Sequence, residues 1–245
     1  MKFTSLLAVV VVFSTPVFGQ KVGPYVTAGG GISVLHVSPF SVTNPVAVAA
    51  NGEVLNARGR RSNVSVARLT AGYNFTENWS LQISYAKFGK GEVEMAFPEY
   101  PDVVWATGSG PDKYQRHALV YKPTTISLMP VYTHAVSDDS RIIFGAGVTK
   151  SKISSHFESI YMSGAVVNPA LLYRSNTYAE ESESKMTPAV LIGIDKKISN
   201  NFSIGFTCTY TSLKMKIPSS PWATRSAETV GVNSFEANLY LGWHL

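Results

Sequence analysis

The sequence predicts an all-β fold, an eight-stranded antiparallel up-and-down transmembrane β-barrel. Three observations lead there. Apolar residues alternate with small or polar ones through eight stretches of the chain, the period-2 signature of strands with two unlike faces. Charged residues make up only 15% of the chain and hydrophobic ones 45%, yet beyond the amino terminus no run reaches the ~20 apolar residues that a membrane-spanning helix needs. The connections alternate between short and long, which a barrel accommodates by gathering short turns at one rim and long loops at the other.

The first element is not a strand. Residues 1–20, MKFTSLLAVVVVFSTPVFGQ, carry Lys2, an apolar run from Leu6 to Phe13, and a small-residue pattern at Val17, Phe18 and Gly19, which together read as a secretory signal. That apolar run falls well short of the ~20 residues that cross a bilayer core. The expected plan is a signal peptide at 1–20 and one barrel domain at 21–245, with no Pro/Ser-rich or low-complexity linker. Cys208 is the single cysteine, so no internal disulfide staples the fold. A formal net charge of +5 is too modest to imply a nucleic-acid partner.

Strand one is PYVTAGGGISVL (24–35), with Val26, Ala28, Gly30, Ile32 and Val34 on one face. Strands two and three form a hairpin in VSVARLTAGYNFTENWSLQISYAKF (64–88). Ser65, Ala67, Leu69, Ala71, Tyr73 and Phe75 share a face before the turn at 76–78, and Trp79, Leu81, Ile83 and Tyr85 follow it. The plan repeats in residues 124–150, where Ile126, Leu128, Pro130 and Tyr132 lead into AVSDDS and Ile142, Phe144, Ala146 and Val148 return. It repeats again in 186–213, with Pro188, Val190, Ile192 and Ile194 before a turn at 196–201, then Phe202, Ile204, Phe206, Cys208 and Tyr210. The eighth strand is VNSFEANLYLGWHL (232–245), with Phe235, Ala237, Leu239, Leu241, Trp243 and Leu245 on one face. Long loops are expected at about 36–62, 96–117, 153–184 and 214–231. Such loops are uncommon within compact soluble domains.

The second set of alternating positions decides which face is wet. It holds Arg68, Thr70, Asn74, Gln82, Ser84, Gly145, Gly147, Thr149, Ser203, Gly205, Thr207, Thr209, Thr211, Glu236 and Asn238. A water-facing outer surface would carry many long charged side chains. This set is dominated by Gly, Ser and Thr, which suit the narrow interior of an eight-stranded barrel, so the apolar face is expected to meet lipid. The last strand then pairs with the first and leaves no open edge.

Charges inside such a barrel need partners. Arg68 and Glu236 fall at similar depth, and Arg141 and Asp195 begin and end neighbouring strands at the short-turn rim. Each couple is expected to form a structural contact across the lumen. Tyr73, Phe75, Trp79, Tyr132, Phe202 and Trp243 gather near the same rim, where an aromatic girdle belongs. At the other rim, Arg58, Arg60, Arg61, Lys90, Lys122, Lys150, Lys152, Lys214 and Lys216 fall at or just beyond the strand ends. They form a candidate collar facing lipopolysaccharide phosphates.

On PYVTAGGGISVL, LTAGYNFTENWSLQISYAKF, IIFGAGVTKSKI and FEANLYLGWHL, the chain resembles the small eight-stranded outer-membrane β-barrel superfamily, which includes the OmpA membrane domain, OmpX, OmpW and the opacity proteins. The resemblance spans the whole chain after the signal. It implies an outer-membrane location, contact with outer-membrane lipid and lipopolysaccharide, insertion by the barrel assembly machinery, and a monomer. It departs from the family's usual Phe or Trp ending, since Leu245 stands last with Trp243 two before it. The implied role is structural or surface-interactive, carried by four long extracellular loops and directed at an unidentified surface or host ligand. The alternatives are passive transport of small or hydrophobic solutes and, more remotely, lipid A modification.

Chemistry beyond this is sparse. The His36-Val37-Ser38 spacing lacks an acidic residue placed to orient the histidine, as a triad requires. His117, His134, His156 and His244 are dispersed, so no metal site is expected. The glycines of GPYVTAGGG open no helix and form no phosphate loop. No cofactor and no catalytic residue are expected.

Overall fold

Strands immersed in lipid cannot leave their backbone groups unpaired, and here the sheet closes on itself. The computed structural model describes residues 22–39, 41–43, 54–58, 61–96, 113–163, 173–218 and 229–245. Its strands are β1 (Gly23–Val37), β2 (Ser41–Thr43), β3 (Val54–Arg58), β4 (Arg61–Asn74), β5 (Trp79–Phe88), β6 (Gly91–Ala96), β7 (Lys113–Ala135), β8 (Ser140–Ser163), β9 (Tyr173–Lys197), β10 (Phe202–Lys216) and β11 (Thr229–His244). Eight of them form the ring β1, β4, β5, β7, β8, β9, β10 and β11, antiparallel throughout and closed by β11 against β1. The three short strands prolong the wall. The β2–β3 ladder keeps the register of β1–β4, and β6 continues β5 along β7.

Three tight turns and both ends of the barrel share one rim. In each turn a hydroxyl caps the backbone: Thr76 Oγ1 accepts from Trp79 N at 3.0 Å, Ser137 Oγ from Ser140 N at 3.1 Å, and Ser199 Oγ from Phe202 N at 3.2 Å. The terminal strand is tied down there by His244 N donating to Asn201 O and Leu245 N donating to Pro24 O.

The apolar alternation lies on the outside. Leu69, Ile83, Leu128, Ile192, Ile194, Leu239 and Leu241 are all exposed, as only lipid-facing residues should be. From Phe202 to Tyr210 on β10 the belt rises roughly 20 Å at the ~40° tilt of such strands. Aromatic pairs mark its turn-side edge: Trp79 with Tyr132 at 5.2 Å, Tyr73 with Phe75 at 5.9 Å, and Phe202 stacked on Trp243 at 6.4 Å between centroids.

Two features depart from expectation. The segment 153–184, expected as a loop, is largely strand: β7, β8 and β9 are 23, 24 and 25 residues long, whereas about 9–11 residues cross the membrane. The β8–β9 ladder continues to Met162 opposite Tyr173, about a dozen residues and roughly 40 Å along the strands beyond the belt. Neither face of this part meets lipid, so the apolar stripe that defined strands elsewhere is absent from it.

The interior also differs from the lining expected, one rich in Gly, Ser and Thr throughout. Above the belt the alternation inverts. On β4, Arg61, Asn63 and Ser65 face out while Val64 and Val66 are buried; on β10 Lys214 faces out while Leu213 and Met215 are buried, as is Ile217 just past its end. Where the wall faces water, the hydrophobic effect places apolar side chains inside, as in a soluble barrel. The result is a packed apolar core in the outer half of the lumen, including Leu35, Val37, Phe88, Leu119, Tyr121, Ile153 and Val232. Here too the wall changes partners. The β9–β10 ladder ends at Ala189 opposite Thr211, while β9 continues along β8 and β10 along β11. The outer end of β10 reaches the inner face of β8, where Ser155 Oγ donates to Lys216 O at 2.7 Å.

Candidate functional site: the lumen and the outer rim

Beneath the apolar core the lumen is polar and layered. Hydroxyl pairs bridge neighbouring strands, with Ser33 to Ser234 at 3.0 Å, Thr70 to Ser84 at 2.9 Å and Ser127 to Thr149 at 2.7 Å. Among them lies the charge pair of the mid-lumen: Arg68 Nη2 donates to Glu236 Oε2, and Asn238 Nδ2 approaches the same oxygen at 3.4 Å. Glu236 is 1% exposed, so its charge is held by protein groups. Arg68 Nε and Nη1 have no protein acceptor and the side chain borders a cavity of about 60 Å³.

Two tyrosines frame that cavity on the turn side. Tyr25 OH donates to Gln82 Oε1 at 3.3 Å, and Tyr240 OH donates to Asp195 Oδ1 at 2.9 Å. Each ring lies across the wall over a glycine of the adjacent strand, Tyr25 over Gly72 and Tyr240 over Gly205. A Cβ at either glycine would overlap the ring, so glycine is required by close approach rather than by backbone conformation. Arg141 stands directly opposite Asp195 in register, but the carboxylate is engaged by Tyr240, and the ion pairs among the described residues do not join Arg141 to Asp195. Arg141 lines a vestibule of about 460 Å³ at the turn-side mouth, with Lys197, Asn200, Asn201 and His244.

At the outer rim Arg61, Lys122, Lys150, Lys152 and Lys214 are exposed, and Lys216 is half-buried. Lys90 is exposed and pairs with Glu158 at 3.1 Å. Arg58 lies in β3 with its side chain undescribed, and Arg60 falls outside the described residues. Sequence reasoning missed Lys87, which follows Tyr85 by two and faces the same way. It also missed the Tyr25 and Tyr240 layer, whose signal was a tyrosine on the polar phase opposite a cross-strand glycine. His36 is exposed at the outer end of β1. No group of ligands fit for a metal ion occurs among the described residues.

A closed antiparallel barrel with an apolar belt outside and a polar lumen within defines an outer-membrane β-barrel protein. A family profile for the outer membrane protein β-barrel domain matches residues 5–241, and the chain belongs to that family. Its place is the outer membrane. Among solved structures, the outer membrane protein OprG from Pseudomonas aeruginosa is 13% identical, with a TM-score of 0.51, covering 93% of this chain and 98% of that one. Neisserial surface protein A (NspA) is 13% identical, with a TM-score of 0.47 and coverages of 91% and 97%. Ail, the attachment invasion locus protein of Yersinia pestis, is 14% identical, with a TM-score of 0.42 and coverages of 92% and 100%. At 13% identity the OprG likeness speaks for the fold alone. Among curated proteins, no sequence matches the chain.

Proposed function

We propose that this protein is a non-catalytic outer-membrane barrel with a structural or surface-interaction role, its specificity residing in the four segments that join the strands outside the membrane. The observation that carries this reading is the apolar core across the outer half of the lumen, in which Leu35, Val37, Leu119, Ile153, Leu213 and Val232 are 0% exposed. An ion or polar solute moving along the axis would have to shed its hydration there without replacement partners. The tall β7–β8–β9 ladder supports the same reading, because it lifts the connecting segments clear of the lipid. Residues 1–20 act in this reading as the export signal, the assembly machinery inserts the 21–245 domain, and the protein works as a monomer. Arg68 with Glu236, and Arg141 with Asp195, serve the architecture of the lumen.

The test replaces residues 97–112 and 164–172 with short Gly/Ser turns in cells displaying the full chain. Adhesion to host cells and matrix-coated surfaces should be lost while heat-modifiable gel mobility persists. Adhesion equal to that of the intact chain overturns the assignment to these segments.

A second reading, passive entry of hydrophobic solutes, draws on the parting of β9 from β10 above Ala189 and Thr211. A side portal there would open next to the apolar core. Uptake of a hydrophobic tracer that falls when β9 and β10 are cross-linked by cysteines above this point would favour it over the first.

A further inference from the structure

Two inward cations, Arg141 and Lys197, share the vestibule at the turn-side mouth, and neither forms an ion pair among the described residues. We propose that they bind, with Asn200, Asn201 and Ser203, a hydrophilic organic oxyanion of the sugar phosphate or sugar acid class that enters from the periplasmic side.

The register sets the pair. Arg141, near the start of β8, stands opposite Asp195 of β9, and Lys197, two residues further along, shares the inward phase of Asp195. Arg141 and Lys197 are therefore diagonal neighbours, with backbones about 7–8 Å apart. Ser203 of β10 stands directly opposite Lys197. Arg141 is 8% exposed and Ser203 is buried, so both belong to the wall rather than to its edge. Asn200 and Asn201 come from the turn between β9 and β10, which is held in place before any ligand arrives. Ile198 N and Ser199 N donate to Phe202 O at 2.9 and 3.1 Å, and Asn201 O accepts from His244 N at 2.8 Å.

The charge of Arg141 is unspent. Its guanidinium carries several N–H donors, and the hydrogen bonds and ion pairs of the described residues use none of them. Asp195 accepts from Tyr240 through Oδ1, keeps Oδ2 buried without a partner, and borders the cavity beside Arg68 instead of the vestibule. The other acidic residues described at this rim, Glu77, Asp138 and Asp139, are exposed to water and do not line the vestibule either. Asp139 lies next to Lys197, whose N donates to Asp139 O, but their side chains form no ion pair. A buried guanidinium without a counter-charge in contact is costly. An anion taken up from solution offsets that cost.

The walls select the rest of the ligand. The volume of about 460 Å³ falls in the ~300–1,000 Å³ range of small-molecule sites and leaves room around a single phosphate group. Every residue lining it is polar, so an apolar ligand finds no surface to bury against. Asparagine amides both donate and accept, which suits hydroxyl groups. The guanidinium fork matches carboxylate and phosphate alike, so either anionic sugar fits. A neutral sugar lacks the group that Arg141 requires.

The experiment titrates the isotope-labelled full-length protein, in a neutral detergent at neutral pH, with glucose 6-phosphate, glucuronate, glucose and inorganic phosphate. NMR follows the Arg141 Nε–H and the side-chain amides of Asn200 and Asn201. Both anionic sugars should give saturable shifts at these signals with half-saturation at about 1 mM or below, and glucose should give none. Inorganic phosphate should bind about threefold or more weaker than glucose 6-phosphate. R141Q should weaken binding by about tenfold or more and K197Q by about threefold, whereas K196Q, whose charge lies beside Lys197 but on the outward phase, should leave it unchanged. D139N should bind no more weakly than the native protein. Heat-modifiable mobility verifies the fold of each variant, and the shifts of the intact protein, with K197Q, decide the matter if R141Q does not fold. Binding of only one of the two anionic sugars assigns the ligand to that class. Absence of shifts at the three residues, or native affinity in folded R141Q, overturns the site, as does a loss in K196Q equal to that in K197Q. Binding of glucose, or weaker binding in D139N, overturns the assignment to an anion, and phosphate binding as tightly as glucose 6-phosphate overturns the assignment to a sugar.

Discussion

Replacing Glu236 with alanine would strand a buried guanidinium. By side chain Arg68 is 8% exposed and Glu236 2%, and the contact between Nη2 and Oε2 is the one hydrogen bond the described residues give to the Arg68 guanidinium. Removing one partner of a buried pair costs about 3–5 kcal/mol. Here the cost should be lower, about 2–4 kcal/mol, because Arg68 borders a cavity of about 60 Å³, room for a few waters to hydrate the orphaned charge. Arg68→Ala should cost a similar amount, since it leaves the Glu236 carboxylate with only the long contact from Asn238. Arg68→Met with Glu236→Leu removes both charges and should fall within about 1 kcal/mol of the native protein, giving a coupling of about 3 kcal/mol or more. The assay is urea unfolding in lipid vesicles followed by tryptophan fluorescence, with a gel for heat modifiability. Additive single-variant costs, or singles below about 0.5 kcal/mol, would refute the view that this pair holds the mid-lumen together.

Depth along the outer face should set the cost of a charge: Ile192→Arg, in the middle of the belt, should destabilise by about 2–4 kcal/mol and Trp243→Arg, at the turn-side edge, by about 1 kcal/mol or less in the same unfolding assay. Gly205→Val should push the Tyr240 ring off the wall and break its bond to Asp195; a crystal or NMR structure that kept the 2.9 Å contact would count against the close-approach argument. Met215→Ala, which empties space in the outer core, should cost about 2–5 kcal/mol, measured as a lower urea midpoint with unchanged slope.

How much of this was legible in the sequence depends on the solvent each segment meets. Lipid requires an unbroken apolar face, so Phe235 to Trp243 or Phe202 to Tyr210 announce both the strand and its orientation. The short turns were legible for a related reason, because Thr76, Ser137 and Ser199 are hydroxyl residues that cap the backbone locally. Beyond the belt the requirement lapses. At 61–66 the residues still alternate, but with Arg61, Asn63 and Ser65 outside and Val64 and Val66 inside. A reading that follows one apolar stripe loses phase there and takes the strand for a loop, which is why β7 to β9 came out too short and the apolar core was missed. The lumen charges were legible only as far as depth along a strand can be counted. That count brought Arg68 to the level of Glu236 and Arg141 opposite Asp195, but it could not foresee Tyr240 taking the Asp195 carboxylate, because side-chain reach across a lumen is not a property of one strand.

The claim on which the functional reading rests is that the apolar core seals the lumen, and single-channel recording addresses it most directly. The purified full-length protein, refolded and inserted into planar bilayers of neutral lipid, should give no steady unitary conductance above the lipid background. A variant with Leu213, Met215 and Ile153 all replaced by serine should conduct if it stays heat-modifiable, since it lines the constriction with hydroxyls. Steady, reproducible conductance steps from the intact protein would contradict the sealed lumen and favour a conduit instead.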